Sequence, residues 1–294
     1  MQNPLILASG FLGVSKEMLK RVAENGAGAV TIKSISLQPR LGHHNPTVLA
    51  LDDINALINA VGYSNPGLKE AEKEFAVLSD VPSPVIGSIV GENAQEFAAL
   101  AQAFNKLPFA AIELPLSCPH TPGFGLLAGH GTVEATAEIT SAVKKVTKKP
   151  VIVKISPSIQ NLGEIAKAAE KAGADALNMG NTLGPGMVID VNAMKPVLDF
   201  KVGGLSGAAI KPVTVRCVYD VFKAVKIPII GLGGVTTAND AVELILAGAA
   251  AVGLGSAVYF KGLKVFNEIN QGLEKWMERH GFKSIEEFRG LAHE

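Results

Sequence analysis

Short apolar runs separated by stretches of helical periodicity recur along all 294 residues, and no other feature restricts the fold so strongly. Eight such runs, near 4–8, 29–33, 85–90, 110–116, 151–156, 176–180, 227–231 and 251–255, are rich in Val, Ile and Leu. They are apolar at consecutive positions rather than at alternate ones, so each strand is covered on both faces, as parallel strands are. The helical stretches supply that cover. Eight strand–helix units in a chain of this length predict an α/β fold, a (β/α)8 TIM barrel forming a single domain over residues 1–294. The architectural alternative is an open doubly wound sheet. It requires a glycine-rich dinucleotide turn after the first strand, and ASGFLGVS (8–15) is a poor match.

An internal echo supports the count. ENGAGAV (24–30), KAGADAL (171–177) and LAGAAAV (246–252) each place Gly-Ala between a helix and the next strand. Glycine closes a helix in the left-handed conformation without a Cβ penalty, and the short turn then feeds the following strand. Three connections are much longer than the usual two to six residues: 34 to about 66, 118–131 and 182–210. Each follows a strand, so in a barrel all three lie over the C-terminal face and form a lid above the site. The segment 264–280 has helical spacing, and its Trp276 is expected to pack rather than react.

Composition narrows the function classes. Lys plus Arg and Asp plus Glu both total 27, so no global charge favours nucleic acid or an anionic membrane. No apolar run reaches the roughly 18 residues of a membrane span. The N-terminus lacks the pattern of a signal peptide, and two cysteines are too few for a disulfide framework, which points to a reduced, cytoplasmic setting. The six histidines show no paired ligand spacing, so no metal is expected.

Chemistry-bearing residues gather at strand ends. Glycines in IIGLGGVTTAND (229–240) and AVGLGSAVY (251–259) end strands 7 and 8, where exposed N–H groups and a following helix N-terminus can cradle a phosphate. Lys33 and Lys154 close AVTIK and PVIVK. Their ammonium groups can enter the barrel mouth and stabilise developing negative charge, or snorkel to solvent. Cys118 stands at the end of strand 4 in ELPLSCPHTPGFG. Its thiol suits a nucleophile or a general base, or a small buried hydrophobe. Cys217 sits among Val213, Val218, Val221 and Phe222 at helical spacing and is read as structural. Asn59, Asn65 and Asn181 can read a planar heterocycle, or serve turn chemistry.

Taken in order, NPLILASG, VTIKSI, INAVGYSNPG, SCP, PVIVKISP, NTLGPGMVID, GGLSGAAIKP, PIIGLGG and AGAAAVGLGSA make nearly the whole chain resemble the class 1 dihydroorotate dehydrogenases. The resemblance implies a TIM-barrel FMN enzyme that oxidises dihydroorotate to orotate in pyrimidine synthesis. It matches Ser9, Lys33, Ser34, Lys154, Gly180, Gly207, Gly233, Gly234, Gly255 and Ser256 to flavin contacts. Lys33, Asn59, Ala60, Val61, Gly62, Tyr63, Asn181 and Thr182 match substrate contacts. Cys118 matches the catalytic base that takes the C5 proton, and Lys154 a cation that stabilises the reduced flavin. The cysteine and the GGLSG segment look most like the NAD-linked branch, in which a separate FAD and iron–sulfur subunit accepts the electrons within a homo-oligomer or heterotetramer. This chain has too few cysteines to hold a cluster itself.

Three positions depart from the family pattern. Pro115 and Ser88 stand where asparagine is usual, and His120 where many relatives have asparagine. Proline donates no backbone hydrogen bond, so strand 4 is expected to end or bulge near Leu114. The alternatives are reduction of uracil or thymine, as in the related dihydropyrimidine dehydrogenases, and a flavin-binding barrel without dehydrogenase activity.

Overall fold

The computed structural model describes residues 1–117, 123 and 129–294. Eight strands close a parallel barrel: β1 (Leu5–Leu7), β2 (Ala29–Thr31), β3 (Val85–Ser88), β4 (Ala111–Pro115), β5 (Val151–Ile155), β6 (Ala176–Met179), β7 (Ile229–Leu232) and β8 (Ala251–Leu254). Each overlaps the run expected for it, and each pairs with its neighbours in sequence order, β8 returning to β1. The helices α1 (Lys16–Glu24), α2 (Leu68–Glu74), α3 (Ala94–Phe104), α4 (Val133–Val146), α5 (Leu162–Lys171), α6 (Lys211–Ala224) and α7 (Ala238–Leu246) lie between them. A short α8 (Ala257–Lys261) and α9 (Val265–His280) follow β8. Gly26, Gly173 and Gly248, the glycines of the repeated Gly-Ala turn, have φ of +98°, +97° and +119°. The left-handed turn is therefore used three times, as the sequence pattern requires.

Period-two geometry sends alternate residues of each strand to opposite sides. Outward residues such as Leu7, Val30, Leu114, Val153 and Leu177 join the helices in the main core. Inward residues form a separate cluster in which isoleucine and alanine alternate round the barrel: Ile6, Ala29, Ile86, Ala111, Ile152, Ala176, Ile230 and Ala251. A large side chain from one strand thus fits beside a small one from the next. Burial of each isoleucine contributes about 1.5–3 kcal/mol. The barrel is plugged at this level.

The lid has more structure than loops. Segments Val48–Leu51, Ala56–Asn59, Gly203–Gly207 and Leu183–Gly186 pair as a four-stranded antiparallel sheet, so the first and third long connections meet above the barrel. Asn55, at φ +47°, turns the first hairpin. Ile58, Ala60 and Leu198 form a small core of their own beneath this sheet. The second long connection lies largely outside the described residues.

Strand 4, expected to end or bulge near Leu114, ends one residue later: β4 includes Pro115, which stands level with Lys154. The hydrogen bonds to β5 come from alternate residues, Ile112 N–H to Pro150 O and Leu116 N–H to Lys154 O. Pro115 falls between those donors, and on the other side β3 has already ended at Ser88, opposite Glu113. A missing N–H costs little there.

Cys217 is buried on α6, and burial pushes its thiol pKa up, in keeping with a packing role. Trp276 stacks on His280, with ring centres 4.1 Å apart. Among the described residues no helix is long and apolar enough to cross a membrane, and no group of three His, Cys, Asp or Glu side chains is arranged to hold a metal.

Candidate active site

Two residues beyond the isoleucine–alanine ring, the inward positions are Ala8, Thr31, Ser88, Glu113, Lys154, Asn178, Leu232 and Gly253. Five of them are polar: Thr31 on β2 and, on the adjacent strands β3 to β6, Ser88, Glu113, Lys154 and Asn178. Ser88 Oγ donates to Glu113 Oε1 (3.2 Å), and Asn178 Nδ2 donates to Oε2 (2.7 Å). Lys154 Nζ lies 3.9 Å from Oε1 and donates to Ser9 Oγ at 3.0 Å. The hydroxyls of Ser34 and Ser88 are 2.9 Å apart. Lys154 is 4% exposed and Glu113 2%, so the lysine does not snorkel. A buried ammonium needs a partner, and the buried carboxylate supplies one.

Above this layer opens a cavity of about 300 Å³ at the C-terminal ends of the strands. Ser9, Lys33, Ser34, Lys154, Gly207, Gly233, Gly234, Gly255 and Ser256 line it, as do Asn59, Val61, Gly62, Tyr63, Asn181 and Thr182. Residues separated widely in sequence are thus brought to one space. Two named positions stand behind its wall. Ala60 is buried in the small core under the lid, with its N–H bonded to Thr47 O. Gly180 packs against the Leu232 backbone at φ +146°, where no Cβ fits. Cys118 and His120 lie outside the described residues.

The cavity has two unlike walls. One is backbone: Gly233 and Gly234, at φ +145° and +78°, follow β7, and Gly255 and Ser256 follow β8. The helix expected to assist there is already occupied. Thr237 and Asp240 form a capping box at the start of α7. The Asp240 carboxylate also accepts from Thr236 N–H (2.9 Å), Thr236 Oγ1 (3.0 Å) and Lys211 Nζ (2.9 Å). Burial alone would push the Asp240 carboxyl up, but Lys211 and the threonine donors together hold it at about 2. Lys211, bonded to Glu243 and Asp240, is raised above the ordinary lysine value. This clasp fixes the turn after Gly234, and the cradle reduces to loop backbone at the ends of β7 and β8.

The other wall is polar side chain. Lys33 Nζ sits 5.7 Å from the Tyr63 ring centre, a cation–π distance. Tyr63 has φ +56°, a left-handed conformation rare for a bulky residue, and its hydroxyl lies 3.5 Å from Pro115 O. Asn181 is fixed at both ends: Nδ2 donates to Ser117 Oγ (2.8 Å) and Oδ1 accepts from Thr182 N–H (2.8 Å). One Nδ2 hydrogen remains for a ligand. Asn65, by contrast, spends its amide on Ser36 N–H, Gly67 N–H and Tyr63 O, so it serves the loop and stays out of the cavity lining.

Sequence reasoning missed Glu113 and Asn178 beneath the cavity, and Phe11, Ile210 and Tyr259 on its walls. The signal for Glu113 was present, a carboxylate inside the apolar run AIELPL. Bare glycine backbone in one cavity with lysines and amides suits a ligand that joins a phosphate to a planar heterocycle.

Residues 1–277 match the family model described as dihydroorotate dehydrogenase. The catalytic subunit of dihydroorotate dehydrogenase B (NAD(+)) from Pyrococcus furiosus is 48% identical over 291 residues, covering 99% of this chain and 95% of that protein. The corresponding subunit from Methanothermobacter thermautotrophicus is 45% identical over 295 residues, covering 100% and 96%. The crystal structure of the Eimeria tenella dihydroorotate dehydrogenase in complex with ferulenol superimposes with a TM-score of 0.84 at 22% identity, covering 99% of this chain and 85% of that one.

Proposed function

The chain belongs to the dihydroorotate dehydrogenase family, and from that membership we infer an oxidoreductase that converts dihydroorotate to orotate in pyrimidine biosynthesis. We further propose that the flavin of this family is here FMN, held by the glycine backbone at Gly233, Gly234 and Gly255 with Ser256. The observation that carries this reading is that this backbone lines one cavity together with Lys33, Lys154, Asn59 and Asn181.

Bound FMN would supply the two-electron acceptor for the hydride that leaves C6 of dihydroorotate. Cys118 takes the C5 proton as general base, and loss of both hydrogens leaves the C5–C6 double bond of orotate. Lys154 holds a buried positive charge at the cavity floor, where negative charge accumulates on reduction. Asn181, fixed by Ser117 and Thr182, presents its remaining N–H to the pyrimidine ring. Asn59 offers a second amide, and Lys33 a cation suited to the substrate carboxylate. The lid sheet covers these groups and restricts water, which strengthens each electrostatic contact.

We propose in addition that electrons leave through a separate FAD and iron–sulfur subunit that passes them to NAD. Two matched relatives bear the name of catalytic subunits of an NAD(+)-linked enzyme, and this chain has only two cysteines.

Cys118→Ser tests the chemistry. The variant is expected to retain flavin while substrate-driven reduction slows about 10²–10⁴-fold, the range for a general base. Reduction at the wild-type rate near neutral pH would refute the role of Cys118.

A further inference from the structure

Lys154 lines the cavity, yet the carboxylate nearest to it does not. Glu113 sits in the inward layer below, 2% exposed, anchored by Ser88 and Asn178 and 3.9 Å from the ammonium. That separation is an ion pair without a close hydrogen bond, and the one hydroxyl that Lys154 reaches is Ser9 Oγ. Its other donors remain for a ligand. The carboxylate therefore does two things: it compensates a charge that could not otherwise stay buried, and it weakens the positive field that this charge projects into the cavity.

We propose that Glu113 is a positioning residue that, through Lys154, poises the bound flavin at a low reduction potential. The inference rests on the flavin reading above. A bare ammonium beside the flavin would favour its reduced, negatively charged form and hold the electrons there. With Glu113 behind it, Lys154 stabilises that charge enough for dihydroorotate to be oxidised and not so strongly that the electrons are retained. An enzyme whose electrons go on to a pyridine nucleotide needs this balance, because that acceptor is itself weakly oxidising. Glu113 is buried and outside the cavity lining, so its effect is on the field alone.

Glu113→Gln separates charge from shape. A glutamine can still accept from Asn178, and its amide can donate to Ser88, whose hydroxyl then turns to Ser34. The test is spectroelectrochemical titration of the flavin-loaded protein, together with stopped-flow measurement of both half-reactions. In Glu113→Gln the midpoint potential is expected to move to more positive values. Reduction by dihydroorotate should be undiminished, and reoxidation by a low-potential acceptor dye should slow. Glu113→Asp should return the potential towards that of the wild type. A residue with only a structural role would lower flavin loading and both rates together. A flavin-loaded Glu113→Gln with an unchanged potential would overturn the proposal.

If the glutamine variant does not fold, Glu113→Asp serves instead, because it keeps the charge and draws it away from Lys154. Its potential should be more positive than that of the wild type, and an unchanged potential in the flavin-loaded protein would overturn the proposal. A wild-type protein that takes up no flavin would refute the flavin reading and this inference with it. Normal loading with a potential indifferent to Glu113 would refute the inference alone.

Discussion

Two rings of inward side chains share the same eight strands, one step of the pleat apart, and they have opposite chemistry. In the lower ring isoleucine and alanine alternate, every contact is apolar, and no polar atom needs a partner. In the upper ring half of the positions are small or apolar, Ala8, Thr31, Leu232 and Gly253. The other half are Ser88, Glu113, Lys154 and Asn178, joined by hydrogen bonds and one ion pair. The lower ring stabilises the barrel by burial. The upper ring lowers that stability locally, because charges leave water, and in return presents a fixed ammonium to the cavity above. A strand only four or five residues long, as β3 to β6 are, therefore carries both a packing position and a functional one. Position along the strand decides which, as expected for a barrel whose chemistry sits at its C-terminal end.

The largest expected effect comes from breaking the upper ring. Glu113→Leu strands Lys154 and the Asn178 amide in the interior, and it should lower unfolding free energy by about 3–5 kcal/mol, the usual loss when one partner of a buried pair is removed. Adding Lys154→Met should restore most of it in urea denaturation. A single variant as stable as the wild type would show that the two rings do not differ in this way. In the lower ring, Ile152→Ala should cost about 2–5 kcal/mol through lost burial and a cavity. Flavin retention and the rate of reduction should stay at wild-type values, since the site lies a layer above. Loss of flavin at equal folded fraction would mean that the layers are coupled.

At the rim, Gly234→Ala places a Cβ in a left-handed residue and 2.6 Å from the Lys211 backbone nitrogen and Cβ. A strain of about 1–2 kcal/mol follows from the conformation alone. Equilibrium dialysis should show weaker flavin retention than in the Ile152 variant. Unaltered retention would remove the cradle from this account. The smallest effect concerns the clasp below that turn. Asp240 is held at about 2, against an ordinary value of 3.8. A carboxyl depressed on folding adds stability that is complete above the unfolded value and is lost as pH falls through the folded one. Acid unfolding should therefore lose the Asp240 contribution between about pH 4 and pH 2, and Asp240→Asn should flatten that limb. An unchanged limb would mean that the clasp adds nothing to stability.

Much of this arrangement was legible in the sequence, for a physical reason. A parallel strand covered on both faces leaves a continuous apolar run, and the eight runs gave the barrel strands to within a residue or two at each end. The lid sheet left no such trace. Val48–Leu51 and Ala56–Asn59 flank the acidic turn Asp52–Asp53, and their partner Gly203–Gly207 is glycine-rich and about 145 residues away. Lys154 and the terminal glycines were visible because they interrupt or end apolar runs. Glu113 interrupts one just as plainly, but its meaning depends on Ser88 and Asn178, which only closure of the barrel brings to it. Pro115 was read as a strand breaker, and the direction of the hydrogen-bond ladder made it tolerable.

The most direct test is anaerobic titration of the flavin-loaded protein with L-dihydroorotate, following bleaching of the oxidised flavin band. Stoichiometric bleaching is the expected result, and it would show that the reductive reaction proceeds with Pro115 in place of the usual asparagine. A fully loaded protein whose flavin stays oxidised at excess dihydroorotate would contradict the account.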